Sequence, residues 1–153
     1  MPEREAPSGL GIRNFSIEDY DRVMEIWSAG GLPLKPLGRD NRENIARQVG
    51  FPNVHFLVAE DVKAGRVIGT VLATHDGRKG WINRLAVDAA VRNRGIGARL
   101  VREAERWLEG EGMVILACLI EENNPGSMAV FEKLGYRKHP EIIYFAKRRH
   151  PGA

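Results

Sequence analysis

Three apolar segments between residues 54 and 87 follow one another with only short turns between them. Val54–Glu60, Val67–Thr74 and Trp81–Val87 are rich in β-branched and aromatic residues, which is typical of strands. The second turn carries Asp76-Gly77, a common hairpin dipeptide. Short turns join antiparallel strands, whereas a parallel pair needs a long crossover, so the pattern argues against a doubly wound parallel sheet. We therefore expect an α/β fold on a mixed, mostly antiparallel sheet.

The segments on either side of this meander predict helices and further strands. Helical spacing of apolar residues begins after Ser16, after Asp40, after Gly95 and at Ser127. Asp40, with Glu43 three residues later, is expected to cap the second helix. Further strands are expected over 11–15, 113–120 and 142–146. The second of these is a continuous apolar run, so we expect it to be buried on both faces.

Composition bounds the class of protein. The chain has 153 residues, of which 43% are hydrophobic, enough for one domain with a sizeable core. Its formal net charge of +3 permits an anionic ligand without indicating nucleic acid. The single cysteine, Cys118, cannot form an internal disulfide, and no apolar stretch approaches the roughly 20 residues of a membrane span. We expect a cytoplasmic protein without membrane or nucleic-acid partners, with 1–9 a flexible leader and 10–149 a single domain.

A basic, glycine-containing loop lies between the third strand of the meander and a long amphipathic helix. The start of a helix presents unpaired N–H groups and partial positive charge, and Gly95 and Gly97 let the backbone approach an anion closely. Arg92 and Arg94 add charge. A dinucleotide-binding fingerprint needs a glycine where Leu100 stands, and a Walker loop needs Gly-Lys-Ser/Thr, which is missing. The loop predicts a phosphate or pyrophosphate ligand.

Three segments together resemble the GNAT superfamily of N-acetyltransferases. The Arg-x-x-Gly-x-Gly spacing that starts at Arg92 is similar to the acyl-CoA loop of that family. Arg84–Asp88 resembles the family's fourth strand, and Asn124–Tyr136 resembles its second motif, a helix that ends in Lys-Leu-Gly-aromatic. The resemblance covers roughly residues 11–148. It implies a splayed sheet of about six to seven strands with helices on both faces.

The resemblance also implies roles for particular residues in binding acetyl-CoA, the co-substrate of the family. The backbone of Leu85, Ala86 and Val87 would pair with the pantetheine arm as an added strand does. Asn124 would bond the cofactor near its reactive end, next to Ser127, and Phe131 would pack against the arm. The N–H groups that would hold the pyrophosphate belong to Arg92, Asn93, Arg94, Gly95, Ile96, Gly97 and Ala98.

The implied reaction is direct attack of a primary amine on the acetyl thioester in a ternary complex. Many family members have a Tyr at the position of Phe131, which protonates the departing thiolate, and Phe131 cannot do so. The tyrosines that could take its place are Tyr136, which we expect to serve mainly in packing, and Tyr144. The strand 81–87 lacks the Glu that some members use as a base. The remaining candidates for the base are Glu121, Glu122 and His75.

Other interpretations of the sequence stay open. The missing Tyr and Glu motivate a catalytically weak acyl-CoA-binding regulatory module, and the basic loop allows a nucleic-acid-binding domain, the least supported of the three. The acceptor could be a protein N-terminus, a lysine, a polyamine or a drug-like amine, contacted from 30–53 and 74–79. His55, His139 and His150 lack the spacing of metal ligands, so no metal site is expected. A homodimer, common among relatives, is also left open.

Overall fold

One twisted sheet organises the chain, which a computed structural model describes over residues 9–153. The predicted leader therefore lies, except for Gly9, outside the described residues. The strands are β1 (Leu10–Asn14), β2 (Val54–Asp61), β3 (Arg66–His75), β4 (Gly80–Val87) and β5 (Leu116–Ala117), in that order across the sheet. β1 to β4 pair antiparallel and β5 runs parallel to β4, so the prediction of a mixed, mostly antiparallel sheet is confirmed.

Helices cover both faces of this sheet, as expected. They are α1 (Tyr20–Ala29), α2 (Arg42–Gln48), α3 (Ile96–Gly110) and α4 (Pro125–Lys133). Strand β2 shows how the two cores divide, because alternate side chains point to opposite faces. Phe56 and Val58 join the core beneath α1 and α2, whereas Leu57 and Ala59 join the core beneath α3 and α4. No helix within residues 9–153 is long and apolar enough to cross a membrane.

The capping residue of α2 differs from the expected one. The side chain of Asn41, not that of Asp40, accepts the hydrogen bond from the Asn44 backbone N–H, at 2.8 Å. Asp40 is 5% exposed, and its carboxylate accepts instead from the Lys35 N–H and the Arg84 guanidinium. The side chain that the local pattern predicted as the cap is therefore engaged in an ion pair with a residue distant in the sequence.

Two predicted strands are shortened or missing, which leaves five strands rather than six or seven. Within 113–120 only Leu116–Ala117 is a strand, and Val114 is 90% exposed, so burial on both faces is wrong. The 142–146 segment forms no strand, and Phe145 in it is 90% exposed. A strand needs a hydrogen-bonded neighbour, and within residues 9–153 neither the outer edge of β5 nor this segment has a sheet partner.

The sheet splays between β4 and β5. Pairing is limited to two positions, Gly80 with Leu116 and Trp81 with Ala117. Farther along, Asn83 Oδ1 accepts the Leu119 N–H at 3.1 Å, a bond through a side chain and not between two backbones. The two strands diverge beyond this point and leave a gap at the sheet edge.

Candidate active site

A cavity of about 1100 Å³ occupies the gap between the diverging strands. Its walls come from the segment between α1 and α2, from α2, from β4, from residues 118–124, from the start of α4, and from Tyr144 and Arg148 near the C-terminus. The 30–53 segment expected to contact an acceptor thus contributes directly to the cavity, through residues such as Arg39 and Phe51. A cavity of this size is large enough to hold a complete small-molecule ligand.

A bulge in β4 faces this cavity. The register with β3 shifts from Thr70 opposite Ala86 to Leu72 opposite Asn83, so β4 contains one extra residue. Arg84 lies in the bulge with a φ of 54°, a left-handed conformation that is uncommon for a non-glycine residue. Arg84 and Leu85 fall outside the ladder with β3, and both line the cavity.

A buried hydrogen-bond chain fixes the backbone of the bulge. Thr70 Oγ1 donates to the Arg84 carbonyl oxygen at 2.8 Å and accepts from Trp27 Nε1 at 2.9 Å. Thr70 is fully buried and Trp27 nearly so. Because unmade hydrogen bonds are costly in such a place, this chain holds the Arg84 carbonyl in one direction.

The side chain of Arg84 anchors the bulge on its other side. Its guanidinium donates to the Pro33 carbonyl at 2.6 Å and to both Asp40 carboxylate oxygens at 3.2 and 3.3 Å. It also lies over the ring of Trp27, 4.7 Å from the centroid. Burial lowers the pKa of Arg84, and the charge of Asp40 opposes that shift. The sequence reasoning missed this pair, although a lone arginine within an apolar strand is the signal that could have pointed to it.

The basic loop connects β4 to α3 through a short 3-10 turn, Ala89–Val91. Asp88 caps this turn by accepting the Ala90 N–H at 3.0 Å and forms ion pairs with Arg22 and Arg66. The hydrogen bond from Ala90 and the pairing with Arg22 hold the pKa of the Asp88 carboxyl below its usual range. The ion pairs tie the start of the loop to α1 and to β3.

The end of the loop leaves the N-terminus of α3 without a side-chain cap. Gly95 is the N-cap residue with a φ of 74°, and it has no side chain to accept the first N–H groups. Asn93 also has a positive φ, of 62°. Ile96 is buried in the core, so only its backbone is available to a ligand. A Cβ at Gly97 would lie 3.8 Å from Val87 and Val130, an ordinary contact distance.

The three residues expected from α4 lie together on the cavity. Asn124 caps the helix, because its Oδ1 accepts the Ser127 N–H at 3.2 Å. Phe131 is nearly buried and packs edge-on against Tyr136, with ring centroids 4.9 Å apart. Asn124, Ser127 and Phe131 all line the cavity.

The candidate catalytic groups are separated by the fold. Glu121 and Glu122 line the cavity, whereas His75 lies outside it. His75 Nδ1 accepts the Gly77 N–H at 3.0 Å, and its ring is 5.6 Å from that of Trp107. No group of three or more potential metal ligands occurs among the residues that the structure describes.

Of the two tyrosines considered as proton donors, Tyr144 lines the cavity and Tyr136 does not. Tyr136 donates its hydroxyl to Glu105 at 3.2 Å, and burial raises its pKa. Tyr144 lines the cavity and is exposed. Cys118 also lines the cavity, and burial raises the pKa of its thiol to about 11, so it is not a thiolate near neutral pH.

Comparison with known proteins is consistent with this geometry. An acetyltransferase of Photorhabdus laumondii, plu1384, is 34% identical over 91% of this chain and 95% of its own. A crystal structure of a Trypanosoma brucei acetyltransferase aligns with a TM-score of 0.70 over 90% of this chain and 99% of that one, at 22% identity. The PaiA N-acetyltransferase of Thermoplasma acidophilum, solved in complex with coenzyme A, aligns with a TM-score of 0.71 over 85% and 91%, at 20% identity.

The family model of the GNAT acetyltransferases matches residues 20–136, from the first residue of α1 to Tyr136, which packs against Phe131. This range contains the splayed strands, the bulge, the uncapped start of α3 and the cap of α4. With the match covering most of the described residues, and with the sheet and helices arranged as above, the chain belongs to the GNAT acetyltransferase family.

Proposed function

We propose that this protein transfers an acetyl group from acetyl-CoA to a primary amine by direct attack in a ternary complex. The observation that carries the proposal is the junction of two features at one sheet edge: the cavity between β4 and β5, and the uncapped N-terminus of α3 that follows β4. An extended acyl thioester with a diphosphate needs both, a cleft for its arm and a site for its anion.

The diphosphate would bind at the start of α3. The backbone N–H groups of 92–98 would donate to its oxygens, and Arg92 and Arg94 would supply charge. Gly95 suits this position because it takes the left-handed conformation without adding a side chain over the N–H groups. The relative PaiA was solved with coenzyme A, which supports the same ligand here.

The pantetheine arm would lie along β4 in the gap. Leu85 belongs to the bulge, and Ala86 and Val87 follow it. These residues lie on the side where β5 has already diverged, so the arm would take the place of a neighbouring strand. Asn124 uses its Oδ1 to cap α4, which leaves its amide N–H groups for the cofactor. Ser127 and Phe131 would complete that wall.

The amine nitrogen would attack the thioester carbonyl carbon, lose a proton, and expel the thiolate of coenzyme A. Orientation of the two substrates in one cavity is the main contribution of the protein, and effective molarity can supply roughly 7–11 kcal/mol. A base is needed as well, because an amine of pKa about 10.4 is neutral in only about one molecule in 2,500 at pH 7. Glu121 and Glu122 are the expected bases, since they line the cavity and His75 does not.

Protonation of the leaving thiolate would fall to Tyr144. Phe131 occupies the position of the usual tyrosine, and the hydroxyl of Tyr136 is committed to Glu105. Tyr144 is the tyrosine on the cavity wall. A thiol of pKa about 8.5 leaves without full protonation more readily than an alcohol, so the demand on this acid is modest.

The proposal is tested by incubating the protein with acetyl-CoA and a mixed library of amines, with mass detection of acetylated products. We expect at least one amine to gain an acetyl group with release of an equal amount of thiol. Calorimetric titration with acetyl-CoA gives a second, independent readout, and absence of binding would overturn the proposal.

A regulatory module that binds acyl-CoA is the second candidate. The observation that favours it is the absence of a tyrosine hydroxyl at Phe131 and of a glutamate in β4. Tight binding of acetyl-CoA without turnover of any amine in the library would support the module over the enzyme.

We also propose that residues 10–149 act as one domain in the cytoplasm. The single cysteine, half-buried in the cavity wall and without a disulfide partner, suits a reducing compartment.

A further inference from the structure

The charged side chains on the cavity walls are sorted by the element that supplies them. The segment from Arg39 to α2, together with the C-terminal stretch, contributes Arg39, Arg47 and Arg148. The loop between β5 and α4 contributes Glu121 and Glu122. A molecule in the cavity therefore meets guanidinium groups from one set of elements and carboxylates from another.

The buried carboxylate on the cationic side, Asp40, is shared between two arginines, because it forms ion pairs with both Arg84 and Arg39 and cannot neutralise both. Asp40 accepts from the Lys35 N–H and gives both oxygens to Arg84. Its contact with Arg39 is long, at 3.4 Å, and the other contact of Arg39, with the Pro33 carbonyl, is 3.5 Å. At such distances the hydrogen bonds are weak, so the guanidinium of Arg39 is held loosely.

Arg47 and Arg148 each use one guanidinium nitrogen for a contact within the protein. Arg47 donates to the Asn44 side-chain oxygen at 2.9 Å, and Arg148 donates to a backbone oxygen of Ala153, the last residue of the sequence, at 3.1 Å. Neither guanidinium pairs with an Asp or Glu side chain of residues 9–153. Both remain free to bind an anion with most of their donors.

The two cationic segments are joined by a backbone contact. The Arg39 N–H donates to the Gly152 carbonyl at 2.9 Å, and Gly38 is so close to Gly152 that a Cβ at Gly38 would lie 2.2 Å from that carbonyl oxygen. This backbone contact holds the C-terminal stretch, with Arg148, beside the segment that carries Arg39. Arg92 and Arg94 of the basic loop lie outside this cavity, so the two arginine sets are separate.

We propose that the acceptor amine also carries an anionic group, a carboxylate or a phosphate, which Arg39, Arg47 and Arg148 bind while the amine faces Glu121 and Glu122. The inference rests on the proposed acetyl transfer and adds the class of acceptor to it. The planar guanidinium group of arginine can donate two parallel hydrogen bonds to either anion. An anion held in this way would orient the amine toward the thioester.

Matched amines test this directly. We compare 4-aminobutanoate with butylamine, and 2-aminoethyl phosphate with ethanolamine, and measure kcat/KM for acetylation at a fixed acetyl-CoA concentration. Each member with an anionic group is expected to exceed its partner without one by about tenfold or more, as a charge-assisted hydrogen bond would give. Which pair shows the larger ratio distinguishes a carboxylate from a phosphate acceptor.

Variants of the arginines give the second arm. In the triple variant Arg39→Gln, Arg47→Gln and Arg148→Gln, the ratio within each pair should fall toward one, mainly through a rise in KM for the anionic member. Arg106→Gln, on the exposed side of α3 in an ion pair with Glu103, is the control and should keep the ratio. An unchanged ratio in the triple variant, or faster acetylation of the amines without an anionic group by the unaltered protein, overturns the inference while leaving acetyl transfer in place.

Binding separates this inference from the proposed function. If no amine is acetylated, calorimetric titration with 2-aminoethyl phosphate and with 4-aminobutanoate decides. Binding that the triple variant loses and Arg106→Gln keeps supports an anion site even without turnover. Absence of binding to the unaltered protein overturns it, whatever the result with acetyl-CoA.

Discussion

The guanidinium of Arg84 lies 3.2 Å from the carboxylate of Asp40, and the two residues are 44 positions apart in the chain. Their side chains are only 16% and 7% exposed. The pair therefore fastens the bulge of β4 to the segment before α2, so that the two sides of the cavity are fixed relative to each other. Such pairs contribute more to a defined geometry than to net stability, because burying both charges costs nearly as much as their attraction returns.

Removal of one partner should nevertheless destabilise the protein strongly. We expect Arg84→Met to lower the free energy of unfolding by about 3 kcal/mol, since it leaves the buried carboxylate of Asp40 without its main partner. Chemical denaturation measures the change. The exposed pair Arg42–Asp21 is the control, and Arg42→Met should cost about 1 kcal/mol or less, through loss of the pair and of the contact with the Tyr20 ring. Similar losses in the two variants would contradict a buried role for Arg84.

Thr70 should be more sensitive to loss of its hydroxyl than to loss of its methyl group. Thr70→Val removes the acceptor of Trp27 Nε1 and the donor to the Arg84 carbonyl, and leaves both buried. We expect a loss of about 2 kcal/mol in the free energy of unfolding. Thr70→Ser keeps both hydrogen bonds and should cost less, from the missing methyl group alone. If the two variants were equally stable, the hydroxyl would not hold the bulge.

Substitutions of Gly95 and Gly97, at the start of α3, should separate effects on folding from effects on binding. Gly95→Ala must place a side chain at a φ of 74°, which costs about 1 kcal/mol. Gly97→Ala has ordinary contacts, 3.8 Å from Val87 and Val130, and alanine suits a helix better than glycine, so stability should be unchanged or slightly raised. Its added methyl should still weaken acetyl-CoA binding by about tenfold, because the backbone can no longer approach the diphosphate as closely.

Thermal unfolding and calorimetric titration together check this pair of variants. Equal affinity of Gly97→Ala and the unaltered protein for acetyl-CoA would show that the diphosphate does not approach Gly97.

The tyrosine of the cavity wall should affect the chemical step. Tyr144→Phe is expected to lower kcat by about tenfold, a modest effect because thiolates leave readily. Tyr136→Phe is the matched control: its hydroxyl bonds Glu105 away from the cavity, so kcat should stay the same. Steady-state kinetics with the best acceptor amine measure both. An unchanged kcat in Tyr144→Phe would remove this residue from the mechanism.

Local sequence signals were enough to predict the centre of the fold. The hairpins between β2, β3 and β4 follow from strand-forming residues and short turns, and the α3 start follows from Gly95 and the apolar stripe behind it. The family resemblance added the splay between β4 and β5. These features depend on residues that are neighbours in the chain, or on one long amphipathic helix.

The parts that the sequence did not predict depend on distant partners. Asp40 has the pattern of a helix cap, but a partner 44 residues later takes its carboxylate and Asn41 caps α2 instead. The apolar composition of 113–120 and 142–146 suits strands, but neighbouring strands decide whether such segments pair. Arg148 reaches the cavity through the contact of Gly152 with Gly38, which no local pattern indicates.

The stability of the protein should fall as the pH is lowered from about neutral, because of His55. Its ring stacks on Trp107 with centroids 4.9 Å apart, and burial lowers its pKa below the ordinary value of 6.5, against a smaller opposing effect of Glu111. The unfolded chain therefore binds a proton more tightly than the folded one. The contribution of His55 is fully present above pH 6.5 and is lost as the pH falls through the lower pKa of the folded state.

His55→Gln isolates this contribution. The variant keeps a polar side chain but does not titrate, so its free energy of unfolding should vary less between pH 7 and pH 5 than that of the unaltered protein. Carboxylates with lowered pKa values, such as Asp19 and Asp88, act in a more acidic window, below their ordinary value of 3.8, and affect both proteins equally. NMR titration of the His55 ring gives its pKa in the folded state directly. A value at or above 6.5, or parallel pH profiles for the two proteins, would show that burial against Trp107 does not disfavour the charged ring.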